Sequence, residues 1–218
     1  MNTKIEENCI LLILNCKKYR YKALKQKETW LKDFTLMPYF HVIGDVEIET
    51  DYYFDHMEKI LYVKTLDDYN SLPKKVIAAY TAVNNEYNFK YIFKTDDDQM
   101  LSDTHFFKVI KELVLNKVPT IHYGGYIVKI DDHKSKYHLI HPELPQNLPM
   151  LKTNYCSGRF YLLSALAIEY LITKTDLIRN NYFEDYAIGL NLDPILKKNI
   201  LNIQTQKYFT DITDFTMV

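Results

Sequence analysis

Three consecutive aspartates, Asp96-Asp97-Asp98, follow the run Tyr91-Ile92-Phe93 and the pair Lys94-Thr95. Tyr91, Ile92 and Phe93 are aromatic or β-branched and read as a short buried strand. Three carboxylates have no place in a core, because an unpaired buried charge costs several kcal/mol or shifts its pKa. At the C-terminal end of a central strand they stand where open α/β sheets bind ligands. Carboxylates converging in a crevice suit a hard divalent cation and, through it, a phosphate. The plainer reading is an Asp-rich turn that caps the next helix, although Ser102 or Asp103 could supply that cap. His133, His138 and His141, near Asp131, match no zinc spacing and read as a solvated loop.

The elements that must position this triplet follow from the apolar pattern. Cys9 to Leu14 is a continuous apolar run, the mark of a strand covered on both faces. Lys17 to Asp33 is basic and helix-permissive, with Ala23, Leu24, Trp30 and Leu31 as inward contacts. Tyr39–Ile43 and Ile60–Val63 are further strands, the first closed by Gly44-Asp45. Ser71 and Pro73 open a helix that runs through Val76, Ala79, Tyr80 and Val83. Helices are expected over Thr104–Leu115 and Glu184–Leu192. A strand is expected over Thr120–Ile130, interrupted by Gly124-Gly125, and a short final one over Ile200–Ile203. The apolar stretch Tyr161–Ile172 is expected to end as a helix. Asp131–Lys152, with three histidines and three prolines, reads as a long loop of the kind that is functional or mobile. Strands alternating with helices predict one α/β domain over 1–218, with a mostly parallel central sheet and helices on both faces. No glycine-rich phosphate loop follows the first strand, so side chains and a metal must hold any phosphate.

Composition bounds the partners. With 47% apolar and 25% charged residues in 218, a sizeable core is available. A net charge of −1 argues against nucleic acid as the main partner. Three cysteines, Cys9, Cys16 and Cys156, give no disulfide framework or metal spacing and fit a reducing compartment. No stretch has the length of a transmembrane helix, and Cys9–Leu14 is too short for a signal-peptide core. A cytoplasmic setting is expected.

Five segments, in order, resemble one family. They are Lys27-Glu28-Thr29-Trp30, Asp68 to Lys75, the triplet within Phe93 to Asp98, Tyr155 to Ser164 (YCSGRFYLLS), and Glu184 to Gly189 (EDYAIG). Together they are similar to the β-1,3-galactosyltransferase and Fringe-like glycosyltransferases, glycosyltransferase family 31. The resemblance covers roughly Thr29 to Leu192. It implies a GT-A fold, with donor binding in about 1–100 and the acceptor side in about 101–218. It also implies inverting transfer from a UDP-sugar to a hydroxyl of a glycan or glycoconjugate.

By the same resemblance Asp98, with Asp96, would ligate Mn²⁺ or Mg²⁺. Asp96 would also reach the ribose, and Asp97 would support the site. Lys75 would sit near the nucleotide. Cys156, Ser157 and Gly158 would wall the donor sugar. Asp185 would be the general base, and Glu184 would help to place it. The chemistry is coherent in itself: a cation neutralises the departing diphosphate, and a carboxylate on the opposite face activates the hydroxyl. Two departures stand out. No histidine follows His141 to complete a metal shell, and Arg159-Phe160 replaces small residues beside the sugar pocket. An inactive nucleotide-sugar- or carbohydrate-binding module and a metal-dependent nuclease or nucleotidyltransferase are the alternative readings.

Overall fold

The computed structural model describes residues 3–103 and 105–212. In chain order the main elements are β1 (Cys9–Leu14), α1 (Arg20–Glu28), β2 (Tyr39–Gly44), β3 (Tyr52–Asp55), β4 (Ile60–Val63), α2 (Leu72–Glu86), β5 (Tyr91–Asp96) and β6 (Gln99–Leu101). Then follow α3 (Phe106–Asn116), β7 (Tyr123–Ile130), β8 (Thr153–Ser164), α4 (Ala165–Ile172), α5 (Thr175–Arg179), α6 (Glu184–Asn191), β9 (Leu201–Asn202) and β10 (Phe209–Asp211).

Eight strands form the main sheet in the order β9-β7-β8-β5-β1-β2-β4-β3. The centre is parallel, β5 with β1, β1 with β2 and β2 with β4. β8 runs antiparallel between β5 and β7, and β3 is an antiparallel edge. β9 pairs parallel with β7. All strands but β8 and β3 therefore point one way, as the alternating pattern predicts.

β1 is buried at every position, which is why its sequence is continuously apolar rather than alternating. Ile10, Leu12 and Leu14 pack with Val76, Tyr80 and Ile168 on one face. Leu11 and Ile13 pack with Trp30, Phe93 and Phe107 on the other. Helices α2, α4 and α6 cover the first face and α3 the second.

Three expectations are corrected. The first helix stops at Glu28, where the Thr29 hydroxyl turns back to donate to Lys25 O at 2.6 Å. The run Tyr161–Ile172 ends as a helix, as expected: it is strand as far as Ser164, whose Oγ accepts from Ala167 N at 3.2 Å and starts α4. The helix expected from Thr104 starts at Phe106, and Thr104 itself lies outside the described residues. The Asp131–Lys152 loop contains a short ribbon, His133–Lys134 against Pro149–Met150.

Candidate active site

β1 and β5 end side by side, with Leu14 opposite Asp96, at the edge where parallel sheets open to ligands. The turn carrying the triplet is pinned from below. Gln26, fully buried, donates its amide to Asp96 O at 3.1 Å and Gln99 O at 2.9 Å. Its own oxygen meets His41 Nε2 at 3.0 Å. Burial pushes the His41 pKa down to about 3, so the ring is neutral. Trp30 stacks on Phe107 and donates Nε1–H to Gln99 O at 3.3 Å. Gln26 and Trp30 thus prop the turn that carries the triplet.

Within the triplet the three side chains diverge. Asp97 is buried; its Oδ2 accepts from Asn15 Nδ2 at 2.7 Å and its backbone N–H donates to Leu14 O at 3.0 Å. Burial pushes its carboxyl up to about 7, against the pull of Lys22. Asp98 is partly open, and its Oδ1 accepts from Gln99 Nε2 at 2.8 Å. The same amide nitrogen donates to Asp211 Oδ1 at 2.8 Å. Asp96 keeps 34% of its side chain exposed and lies 2.8 Å from the Lys94 ammonium. Burial pushes the Asp96 carboxyl up to about 6, with Lys94 pulling it down and Asp98 and Glu184 adding to the rise.

Lys94 is the residue that motif reading passed over. It is 1% exposed in a strand that is buried from Tyr91 to Thr95, where an unpaired ammonium would be untenable. Its three N–H bonds all have acceptors: Asp96 Oδ1 at 2.8 Å, Glu184 Oε2 at 2.9 Å and Gly158 O at 3.0 Å. Burial lowers its pKa, but Asp96 and Glu184 more than offset this, and the ammonium stays charged. A lone lysine two residues before the aspartates, flanked by Phe93 and Thr95, was the available signal.

Asp185 comes to the same place from a distant segment of the chain. Its Oδ2 accepts from Gly158 N at 2.9 Å and its Oδ1 from Tyr186 N at 2.8 Å. The ladder between β8 and β7 shifts register between Cys156 and Tyr161. Such irregularities re-aim the backbone, and this one turns the Gly158 N–H toward α6. A Cβ on Gly158 would lie 3.3 Å from Asp96 Oδ2, 3.3 Å from Lys94 Nζ and 3.5 Å from Asp185 Oδ2. Asp96 and Asp185 therefore approach the same point, beside Gly158. Burial raises the pKa of both Glu184 and Asp185. Tyr69, whose hydroxyl pKa is raised by burial and then by Tyr137, Asp185 and Asp96, edges the same space. His141 of the long loop stacks on it at 4.3 Å.

Of the other expected site residues, Lys75, Glu184 and Cys156 are buried. Lys75 is 1% exposed, and its ammonium binds Asn15 O at 2.8 Å and Asp67 at 2.6 Å rather than facing open solvent. Glu184, 6% exposed, is held by Lys94 and the Tyr161 hydroxyl. Cys156 is fully buried beneath Gly125, its thiol pushed up to about 12 by burial. Ser157 and Gly158 are partly open. Among the described residues no three His, Cys, Asp or Glu side chains converge as a metal-binding group. Any cation here would draw on Asp98, with Asp96 or Asp211 beside it, and take its other ligands from phosphate and water. Hard carboxylate oxygens in that number suit Mg²⁺ or Mn²⁺. A cavity of about 390 Å³ lies on the flank, lined by Lys17, Arg20, Asp45, Tyr53 and Tyr62 among others, and does not include the acidic cleft.

A mostly parallel α/β sheet with carboxylates gathered at its C-terminal edge has the architecture in which ligands bind at the strand ends. The galactosyltransferase family model matches residues 20–199; the chain belongs to that family and is a glycosyltransferase. No curated protein sequence matches it. Among solved structures it is similar to a glycosyltransferase involved in the glycosylation of the major capsid of PBCV-1, at 12% identity and TM-score 0.41, covering 80% of this chain and 68% of that one. It is also similar to the 2-C-methyl-D-erythritol 4-phosphate cytidylyltransferase of Francisella tularensis, at 14% identity and TM-score 0.48, covering 95% of each chain. A third is the glycosyltransferase GlyE of Streptococcus pneumoniae, at 11% identity and TM-score 0.46, covering 94% of this chain and 46% of that one. The family assignment rests on the family model and not on these distant likenesses. Among the described residues no helix is long and apolar enough to cross a membrane.

Proposed function

We propose that the protein transfers a sugar from a UDP-sugar to a hydroxyl of a glycan or glycoconjugate, with inversion at the anomeric carbon and dependence on a divalent cation. The observation that carries this reading is the convergence of Asp96 and Asp185 on Gly158 from distant segments of the chain. Asp185, held by two backbone N–H groups, is oriented to take the proton of the incoming hydroxyl. A single displacement driven from that side inverts the sugar carbon without a covalent intermediate. Asp98 and Asp96 would hold Mn²⁺ or Mg²⁺, which when bound supplies positive charge against the departing diphosphate. Asp96 reaches the ribose, and Asp97 steadies Asn15 at the end of β1. Lys75 acts beneath the nucleotide by bracing Asn15 and Asp67. Ser157 and Gly158, backed by Cys156, wall the donor sugar. Three free thiols support a reducing, cytoplasmic setting.

The test is thermal unfolding with UDP and UDP-sugars, with and without Mn²⁺. A ligand that binds only the native state raises the midpoint, by an amount equivalent to about 2.7 kcal/mol at a hundredfold excess over its Kd. UDP with Mn²⁺ together should raise it, and Asp98→Asn should abolish the Mn²⁺-dependent part. No shift with any UDP ligand would overturn the donor assignment. A shift without turnover in the wild type would make the cleft a binding module.

A further inference from the structure

Behind Asp185 lies a chain of buried hydroxyl and charged groups that the proposed reaction does not itself use. Tyr80 of α2 and Tyr161 of β8 are both fully buried, and their hydroxyl oxygens are 2.6 Å apart. Tyr161 donates to Glu184 Oε1. An ionised carboxylate can only accept, so Tyr161 spends its proton on Glu184 and accepts one from Tyr80. The other oxygen of Glu184 takes a bond from Lys94 at 2.9 Å, and the Lys94 ammonium also lies 5.3 Å from the Tyr161 ring centre. Tyr161 and Lys94 are direct cross-strand neighbours. Lys94 in turn donates to Gly158 O, while Gly158 N–H donates to Asp185. Glu184 is the first residue of α6 and Asp185 the second. The hydroxyl pair thus seats the start of the helix from which Asp185 projects.

A buried hydroxyl pair needs a partner to offset its desolvation, and an apolar pair of the same shape would fill that volume without one. What the hydroxyls add is a fixed position for Glu184. We propose that Tyr161, seconded by Tyr80, is a positioning residue for Asp185, acting through Glu184 and touching neither donor nor acceptor. This rests on the reading of Asp185 as the base. Tyr161 contributes by holding the carboxylate in reach of the hydroxyl, where misplacement by about 1 Å loses about a hundredfold in rate.

The test compares wild type, Tyr161→Phe, Tyr80→Phe and the double variant in full steady-state kinetics with Mn²⁺ and the active UDP-sugar. UDP affinity and melting temperature are measured on each. Tyr161→Phe should lower kcat by about 10- to 100-fold while donor KM and UDP affinity stay within twofold. Tyr80→Phe should lower kcat less. The double variant should be no worse than Tyr161→Phe alone, because Tyr80 acts only through Tyr161, and shared networks are non-additive in this way. A wild-type kcat in Tyr161→Phe overturns the proposal. So does a kcat loss that only tracks a loss of UDP affinity. Should Tyr161→Phe not fold, Tyr80→Phe decides: lowered kcat at unchanged UDP affinity supports the proposal, and unchanged kcat overturns it. Asp185→Asn in the same assay separates the two layers. If it retains wild-type kcat, the base assignment fails; if it is inactive while Tyr161→Phe is fully active, only the positioning role fails.

Discussion

Lys94 shows how one side chain can reconcile a buried strand with an acidic site. Its strand neighbours Phe93 and Thr95 are fully buried, yet it carries a charge that Asp96 and Glu184 balance. Removing one partner of a buried pair leaves the other uncompensated, at about 3–5 kcal/mol. Lys94→Met should therefore destabilise the fold by about that amount in urea unfolding; a change below about 1 kcal/mol would mean that Glu184 already takes up a proton. At this scale the sequence was informative where a motif marked the chemistry. Of the aspartate triplet, Asp96 comes close to Gly158 beside Asp185, while Asp97 turns to Asn15 and Asp98 to Gln99. It was less informative where burial decided the role. Lys75 sits in a family motif, but its ammonium closes on Asn15 and Asp67. Tyr80 and Gln26 lie at helical positions that look like core or solvated surface. Their partners, Tyr161 and His41, come from distant segments, and no local pattern encodes that meeting.

At the scale of elements the site depends on how β8 and α6 fit together. β8 is a 12-residue strand whose middle departs from register with β7, and that departure exposes the Gly158 N–H to Asp185. α6 can lie close enough only because Gly189 has no side chain. A Cβ there would fall 2.2 Å from the Tyr155 Cβ and 2.7 Å from its Cα. Neither neighbour is a flexible chain end, so Gly189→Ala must push the helix off the strand. Overpacking of this kind costs about 1–3 kcal/mol, and both melting temperature and transfer activity should fall together. An alanine variant with wild-type stability and activity would show that α6 does not need this close approach. The strand was hard to read from sequence because Tyr161–Leu163 is followed directly by the apolar helix α4. Only Ser164, accepting from Ala167 N, marks the boundary, and a single serine is a weak signal. The edge elements β3 and β10 are too short to announce themselves against turn residues.

For the whole molecule, the parallel order β5-β1-β2-β4 fixes where a site can form, since aligned strand ends leave a crevice on one edge. Asp96, Asp97 and Asp98 reach that edge on β5 and the turn after it. Gly158 and Asp185 reach it from the later half of the chain. This arrangement was legible from alternating strands and helices, because a parallel sheet needs long crossovers and the sequence supplies them. The path of β10 was not legible. It pairs with β6 beside the triplet and brings Asp211 to Gln99 and Arg159. The family supplies the class of reaction, and the proposed roles within it rest on the approach of Asp96 and Asp185 to Gly158. The most direct measurement is UDP-sugar turnover by Asp185→Asn alongside its affinity for UDP with Mn²⁺. Loss of the proposed general base should lower kcat by about 10²- to 10⁴-fold while UDP binding is kept. A variant that transfers sugar at the wild-type rate would contradict the account.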